Sequence, residues 1–171
     1  TFSEDRMVIE AMAGMQEAMT SVRDENSVTD EDVERMRGEL AAYYGGDFAR
    51  TYRTTNDGSE PNIDSLLAPL DGDTIALQYE NIQNNPNELG KKDLLNQSDD
   101  GSNYSKLHNI YHPIIRSYLR KFGYYDIFLV DIESGDIVYS VFKEIDFGTS
   151  LRDGPYASTN FGRAFREAAK A

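Results

Sequence analysis

Two short hydrophobic runs decide the fold: Tyr125-Asp126-Ile127-Phe128-Leu129-Val130-Asp131 and Ile137-Val138-Tyr139-Ser140-Val141-Phe142-Lys143. Both are rich in β-branched and aromatic residues, which is typical of buried strands. Between them stands Glu133-Ser134-Gly135-Asp136, a turn sequence in which the glycine can take a positive φ. The sequence therefore predicts an antiparallel hairpin over residues 125–143.

Helical patterns lie on both sides of this hairpin, because apolar residues recur there every three or four positions. Helices are predicted over 1–25, from Thr29 towards Gly45-Gly46, and over 73–83, 104–122 and 157–171. The Gly45-Gly46 pair is expected to weaken or end the second helix. Thr29 and Asp32 form a capping box at one helix start. Residues 73–83 also alternate as a strand would, but a helix is favoured.

The helix over 104–122 contains Pro113, which predicts either a kink or a helix start near that residue. Gly123 is suited to the end of the helix. The whole pattern predicts one helix-rich α+β domain over 1–171, with long N-terminal helices packed on a small antiparallel sheet. A helical hairpin would occupy 1–53, and the sheet would belong to 73–171.

Composition excludes several classes of function. The 171 residues hold 17 Lys and Arg against 30 Asp and Glu, a formal net charge of −13. This charge repels phosphate backbones and anionic membrane surfaces, so no nucleic-acid partner is expected. The absence of Cys excludes disulfides, thiol catalysis and zinc–thiolate sites. No apolar run approaches the roughly 20 residues of a membrane span. A start without Met and an end inside a helical pattern predict a piece of a longer protein.

The first helix carries a seam of apolar residues spaced by three and four: Val8, Met12, Met15, Met19 and Val22. Core packing explains such a stripe, and so does a packed seam between two subunits. Both interpretations remain open at the level of sequence.

Catalytic and metal-binding patterns are weak. His108 and His112 stand four residues apart on a predicted helix, which places both imidazoles on one face. The second position of a zinc-protease helix motif holds Asn109 rather than Glu, so no metal site is predicted. No nucleophile–base pair is visible, and the chain is predicted not to be an enzyme. No cofactor is expected.

The aromatic residues are concentrated in one region. Twelve of the 19 lie between Tyr104 and Phe161, and seven of these twelve are Tyr. Charged side chains are interleaved with them: His112, Arg116, Asp126, Lys143 and Asp146. Such a set suits the pocket of a small polar ligand, and it equally suits a polar, Tyr-rich core.

Several stretches between residues 75 and 162 together resemble the extracytoplasmic sensor region of bacterial methyl-accepting chemotaxis proteins. They are Ala76-Leu77-Gln78-Tyr79, Asn85-Pro86-Asn87-x-x-Gly90-x-Lys92, Tyr111-His112-Pro113-x-x-Arg116, Phe122 to Asp131, Gly135 to Glu144, Asp146 to Leu151, and Gly154-Pro155-Tyr156. Similar regions precede some bacterial adenylate or guanylate cyclases and histidine kinases.

The resemblance implies a Cache- or PAS-like fold in the periplasm, with membrane spans flanking it in the full protein. It also implies a homodimer formed through the N-terminal helix. Family members continue with further strands, so the sheet would be incomplete in a chain that stops at Ala171. Sensors of this kind that carry covalently attached haem are excluded by the lack of Cys.

The sequence thus predicts a non-enzymatic input domain of a chemoreceptor that binds a small molecule, such as an amino acid or organic acid. Arg116 and Lys143 would hold a carboxylate, and Asp126 would accept an amine or hydroxyl. The other predicted ligand-binding residues are His112, Tyr124, Tyr139 and Tyr156. Two alternatives remain: the same sensor attached to a cyclase or kinase, and a structural helical module without a ligand.

Overall fold

The predicted hairpin forms, and its strands are shorter than the hydrophobic runs that predict it. In a computed structural model that describes residues 2–170, with side chains from residue 6 onward, β1 (Phe128–Val130) pairs antiparallel with β2 (Ile137–Ser140). A bulge separates the Leu129–Tyr139 pair from the Val130–Ile137 pair.

The pairing of the two strands stops before residue 126 because the Asp126 side chain, rather than a backbone carbonyl, accepts the next backbone N–H of the facing strand. The Asp126 carboxylate accepts the backbone N–H of Val141 at 2.9 Å and that of Ile127 at 2.6 Å. These bonds satisfy the backbone without a strand partner. The chain then turns at Lys143, whose φ of +55° lies in the left-handed region. Strand geometry therefore ends at Ser140.

Helices make up most of the described residues. They are α1 (Phe2–Met19), α2 (Val22–Asn26), α3 (Asp30–Tyr43), α4 (Ala49–Thr55), α5 (Ile63–Leu67), α6 (Gly72–Gln78), α7 (Asn103–Phe122) and α8 (Asn160–Ala168). Single π-helical turns follow α3 at Tyr44–Phe48 and α6 at Tyr79–Gln83, and a 3₁₀ turn spans Lys92–Leu94. The predicted helix-rich α+β class is confirmed.

The local signals in the sequence explain most helix boundaries. The Thr29 side chain accepts the N–H of Asp32, and the Asp32 carboxylate accepts the N–H of Thr29, which confirms the capping box. Gly123 ends α7 with a φ of +69°. Pro113 lies inside α7, so the alternative in which that helix begins near the proline is wrong.

Gly45-Gly46 behaves differently from a simple stop. The helical path continues through the π turn, where Gly46 has a φ of −88° and a ψ of −109°, and leads into α4. Such a ψ does not occur in a regular helix, so Gly46 bends the helical path without ending it. The predicted helix over 1–25 is also interrupted, between Met19 and Val22.

The core lies where α1, α6 and α7 meet β2. Helix α1 packs on α7, β2 and α6, while α3 packs on α6 and on the two π turns. All residues of β2 are buried. Met15, Met19 and Val22 are buried as well, so core packing is confirmed for that part of the seam, while Val8 is 37% exposed. Within the described residues, no helix has both the length and the hydrophobicity needed to cross a bilayer.

Candidate functional site

A cavity of about 640 Å³ opens between three parts of the chain. We call it the Lys143 cavity. Its helix wall comes from the π turn and α4, its loop wall from Glu88–Gly90, and its third wall from residues 143–145. Its lining side chains include Tyr43, Tyr44, Asp47, Phe48, Arg50, Tyr52, Glu88, Lys143 and Glu144.

The helix wall presents a row of aromatic rings. Tyr44, Phe48 and Tyr52 follow at intervals of four residues, so they share one face of the helical path. The Tyr44 and Phe48 ring centres lie 5.6 Å apart, and those of Phe48 and Tyr52 lie 5.9 Å apart. These contacts at aromatic packing distance give the cavity a largely apolar side.

The loop wall is closed at its base by two reciprocal bonds. The Lys92 ammonium donates to the carbonyl of Asn85 at 2.9 Å, and the Asn85 amide donates to the carbonyl of Lys92 at 3.1 Å. Both residues are buried. The segment between them, which includes Glu88–Gly90, is therefore a closed loop held at both ends.

A buried amide joins two walls of the cavity. The Tyr44 hydroxyl donates to Oε1 of Gln78 at 2.9 Å. Nε2 of Gln78 donates to the carbonyls of Phe147 at 2.7 Å and Ile145 at 3.2 Å. Gln78 has no exposed surface, so these bonds fix the helix wall against the segment that follows Lys143.

Lys143 itself is only 2% exposed. Its Nζ atom donates to the carbonyl of Ser140 and lies 4.1 Å from the centre of the Tyr139 ring and 5.1 Å from that of Phe147. No carboxylate of the described residues forms an ion pair with this ammonium. Burial lowers the pKa of Lys143 to about 7, and the attraction of Asp126 only partly opposes this.

The pKa values of the acidic residues beside the cavity are shifted in the opposite direction, upward. Burial raises the pKa of Asp146 to about 7, and the neighbouring carboxyls of Glu144 and Asp126 add to the rise. One carboxyl oxygen of Asp146 is buried without a hydrogen-bond partner. Burial also raises the pKa of Asp126. Both pKa values rise because burial leaves the charged carboxylate less well solvated than it is in water.

Behind Lys143, helix α7 contributes a pair of stacked histidines. The ring centres of His108 and His112 lie 4.3 Å apart. His112 Nε2 lies 2.7 Å from the carbonyl of Asp93, and its Nδ1 lies 2.7 Å from the Tyr139 hydroxyl. A carbonyl only accepts, so Nε2 carries the proton and Tyr139 donates to Nδ1. Burial lowers the pKa of His112 to about 3, which keeps the ring neutral.

Helix α7 also holds the segment that follows the loop wall. His108 Nδ1 lies 2.7 Å from the carbonyl of Asn96. The Arg116 guanidinium donates to the carbonyl of Asp93, and Arg120 pairs with the Asp93 carboxylate at 3.0 Å. Residues 93–96 are thus attached to one face of α7. Among the described residues, no three His, Asp or Glu side chains are placed to hold a metal ion.

The predicted site residues fall into three groups. Lys143 lines the cavity, with Tyr139 and His112 directly behind it. Arg116 and Asp126 are engaged with backbone groups. Tyr156 is half-buried near the cavity, where burial and the carboxyl of Asp146 raise its pKa. Tyr124 is 55% exposed and stacks on Phe122, apart from the others.

The predicted hairpin over 125–143 places both Tyr139 and Lys143 in its second strand, whereas only Tyr139 belongs to β2. The two side chains meet nevertheless. Lys143 lies beyond the end of β2, and the turn at residues 141–143 folds its ammonium back over the Tyr139 ring. The helix wall was missed altogether. Its signal in the sequence is the four-residue spacing of Tyr44, Phe48 and Tyr52.

Comparison of the chain with protein-family models, with curated proteins and with solved structures finds no match. Function is therefore inferred from the geometry of the Lys143 cavity and from the sequence motifs around it.

Proposed function

We propose that this chain is the extracytoplasmic ligand-sensing domain of a membrane-bound methyl-accepting chemotaxis receptor, and that the Lys143 cavity is its ligand site. The observation that carries the proposal is a cavity of about 640 Å³ that combines aromatic rings with a buried lysine lacking a carboxylate partner. A few polar groups in a mostly apolar cavity are the usual composition of a small-molecule site.

The charges around the cavity narrow the choice of ligand. Arg50 pairs with Asp47 at 3.1 Å, and Glu88 pairs with Lys91 at 3.0 Å. Lys143 and Glu144 remain without an ion-pair partner among the described residues. A carboxylate near Lys143 would supply the missing counter-ion, and an amino group would suit Glu144. Amino acids and small organic acids carry these groups.

Three of the stretches that resemble chemotaxis receptors contribute to this cavity or to the contacts that hold it. Asn85, Gly90 and Lys92 form the loop wall and its closure, while Lys143 and Glu144 lie in the third wall. Gln78 connects the walls. That these motifs meet at one cavity supports a ligand-binding role over that of a structural module.

A sensor also needs a connection between its ligand and its output. The helix wall is continuous with α3, which packs on α6, and α6 contacts α1. In this proposal the domain lies in the periplasm between membrane spans, has a Cache- or PAS-like fold and forms a homodimer through α1. Ligand binding shifts the population of two arrangements of these helices, for which a coupling of about 1–3 kcal/mol suffices.

A thermal-shift screen of the domain tests the proposal, with amino acids, organic acids, amines and divalent metals as probes. A compound at one hundred times its Kd adds about 2.7 kcal/mol of stability. That gain raises the Tm by roughly 5–10 °C for a domain of this size.

Two variants locate the binding site. Lys143→Met removes the ammonium of the cavity-lining lysine, whereas Lys121→Met removes an exposed ammonium beside Phe122, outside the cavity. We expect the shift to disappear in the first variant and to persist in the second. The proposal is wrong if no class of compound raises the Tm, or if the rise survives Lys143→Met.

A further inference from the structure

We propose that Lys143 captures small carbonyl compounds, aldehydes or 2-oxo acids, as a reversible imine on its Nζ atom. This inference deepens the proposed function, because it rests on the Lys143 cavity admitting a ligand. It assigns a covalent chemistry to the cavity that a simple carboxylate clamp does not require.

The first support is the protonation of the amine. An exposed lysine has a pKa near 10.4, so only about one molecule in a thousand carries the free amine at neutral pH. Burial brings the pKa of Lys143 to about 7, so that a large fraction is neutral. Asp126 is the carboxylate that opposes this effect, and His108, His112 and Arg116 add no negative charge. A desolvated lysine of this kind is an activated nucleophile.

The second support is the placement of Nζ. One N–H is directed to the Ser140 carbonyl, and the rings of Tyr139 and Phe147 cover two other sides. No donor of the described residues is directed at the nitrogen, so the lone pair of the neutral amine is unused. Lys143 is part of the cavity wall, so the imine forms when Nζ leaves the Ser140 carbonyl and turns towards the cavity.

The reaction needs no oxidant or reductant. The Nζ lone pair forms a bond to the carbonyl carbon, and the C=O π electrons move to oxygen, which takes a proton. The nitrogen loses its protons as the hydroxyl group leaves as water, so that one amine and one carbonyl give one imine and one water. Glu144, which lines the same cavity, is the nearest proton carrier in sequence. Hydrolysis reverses each step.

Reductive trapping tests the inference within a single protein. The domain is incubated at pH 7 with cyanoborohydride and either glyoxylate, a 2-oxo acid, or acetaldehyde, and modified lysines are quantified by peptide mass spectrometry. We expect Lys143 to be modified at least about tenfold faster than exposed lysines, because its free-amine fraction is larger. A preference for glyoxylate assigns 2-oxo acids, and equal rates assign small aldehydes as well.

The chain supplies its own controls. Lys170 is exposed, and Lys92 is buried under the Tyr43 ring but does not line the cavity. We expect both to react slowly, and we expect the advantage of Lys143 to vanish in urea. Lys143→Arg keeps the charge and removes the adduct. Modification of Lys143 no faster than that of Lys170 or Lys92 overturns the imine.

The outcome is separable from that of the proposed function. If a compound from the thermal-shift screen stabilises the domain while Lys143 stays unmodified, the cavity binds ligands and the imine is wrong. If the same compound protects Lys143 from trapping, both proposals are supported. If no compound stabilises the domain and Lys143 is not trapped, both are wrong.

Discussion

The Tyr139 hydroxyl donates to Nδ1 of His112 over 2.7 Å, and this bond joins strand β2 to the middle of helix α7. Both residues are fully buried. The opposite nitrogen of His112 donates to the carbonyl of Asp93. One neutral imidazole therefore connects the strand, the helix and the segment beside the loop wall.

Replacing Tyr139 with Phe removes this bond and leaves a buried ring nitrogen without a donor. We expect a loss of about 1–3 kcal/mol in the free energy of unfolding, measured by urea denaturation. Tyr124→Phe is the matched control, since Tyr124 is exposed, and it should change stability by less than about 0.5 kcal/mol. Equal effects of the two substitutions would contradict the role of the bond.

The lowered pKa of His112 predicts that the fold loses stability in acid. Its pKa is about 3 in the folded state and about 6.5 in the unfolded state, so the unfolded state takes up the proton first as the pH falls. The contribution of the neutral ring is complete above pH 6.5 and is lost as the pH falls towards 3. We expect His112→Gln to show a shallower decline of unfolding free energy over this range.

The measurement is urea denaturation of both proteins at several pH values between 7 and 3.5. His108, whose pKa burial also lowers, contributes in the same direction in both proteins. The difference between wild type and variant therefore isolates His112. Parallel curves would show that His112 is not held neutral.

The lowered pKa of Lys143 predicts that the free energy of unfolding also depends on pH above neutrality. The folded-state pKa is about 7 and the unfolded-state pKa about 10.5. As the pH falls from 10.5 to 7, the unfolded state binds the proton and the wild type loses stability relative to Lys143→Met. We expect the variant to gain on the wild type between pH 9.5 and 7 in urea denaturation. A difference in unfolding free energy that does not change with pH would show that folding does not lower the pKa of Lys143.

The buried amide of Gln78 can be compared with a second glutamine. Gln78→Met leaves the Tyr44 hydroxyl and two carbonyls without partners, so we expect a loss of about 2 kcal/mol or more. In Gln83, the side-chain oxygen is already buried without a partner. Gln83→Met should therefore be neutral or stabilising, and a comparable loss in both variants would argue against the Gln78 network.

Two glycines with nearly the same positive φ allow the effect of backbone strain to be separated from that of side-chain crowding. Gly58 and Gly148 have φ values of +82° and +80°. A Cβ at Gly58 meets nothing within 4 Å, whereas a Cβ at Gly148 would lie 2.8 Å from the Thr74 side chain. Both alanine substitutions incur about 1–2 kcal/mol for the left-handed backbone. We expect Gly148→Ala to lower the unfolding free energy further, and equal losses would contradict this.

Most of the fold could be predicted because local interactions set it. The Thr29–Asp32 capping box, the left-handed Gly123 and the hydrophobic runs of the hairpin act within a few residues. The strand ends could not be predicted in the same way. They depend on the Asp126 carboxylate reaching the N–H of Val141, a contact between residues distant in sequence.

The candidate site, like the fold, could be predicted from the sequence only in part. Lys143, Tyr139 and His112 were predicted from residue type, and they do come together. Tyr124 was also predicted as a ligand-binding residue from its type, and it is exposed on the surface instead. The aromatic residues of the helix wall, Tyr44 to Tyr52, precede Lys143 by 91 to 99 residues, so tertiary packing such as that of α3 on α6 is needed to bring them to Lys143.

The attachment of residues 93–96 to α7 has a mechanical consequence. The loop wall is fastened by the Asn85–Lys92 closure and, beyond it, by His108, His112, Arg116 and Arg120. The opposite wall runs through the bend at Gly46. In the proposed sensor, a ligand larger than the cavity would therefore displace the wall that contains Gly46, where the backbone already departs from helical geometry. We expect that displacement to change the angle between α3 and α4.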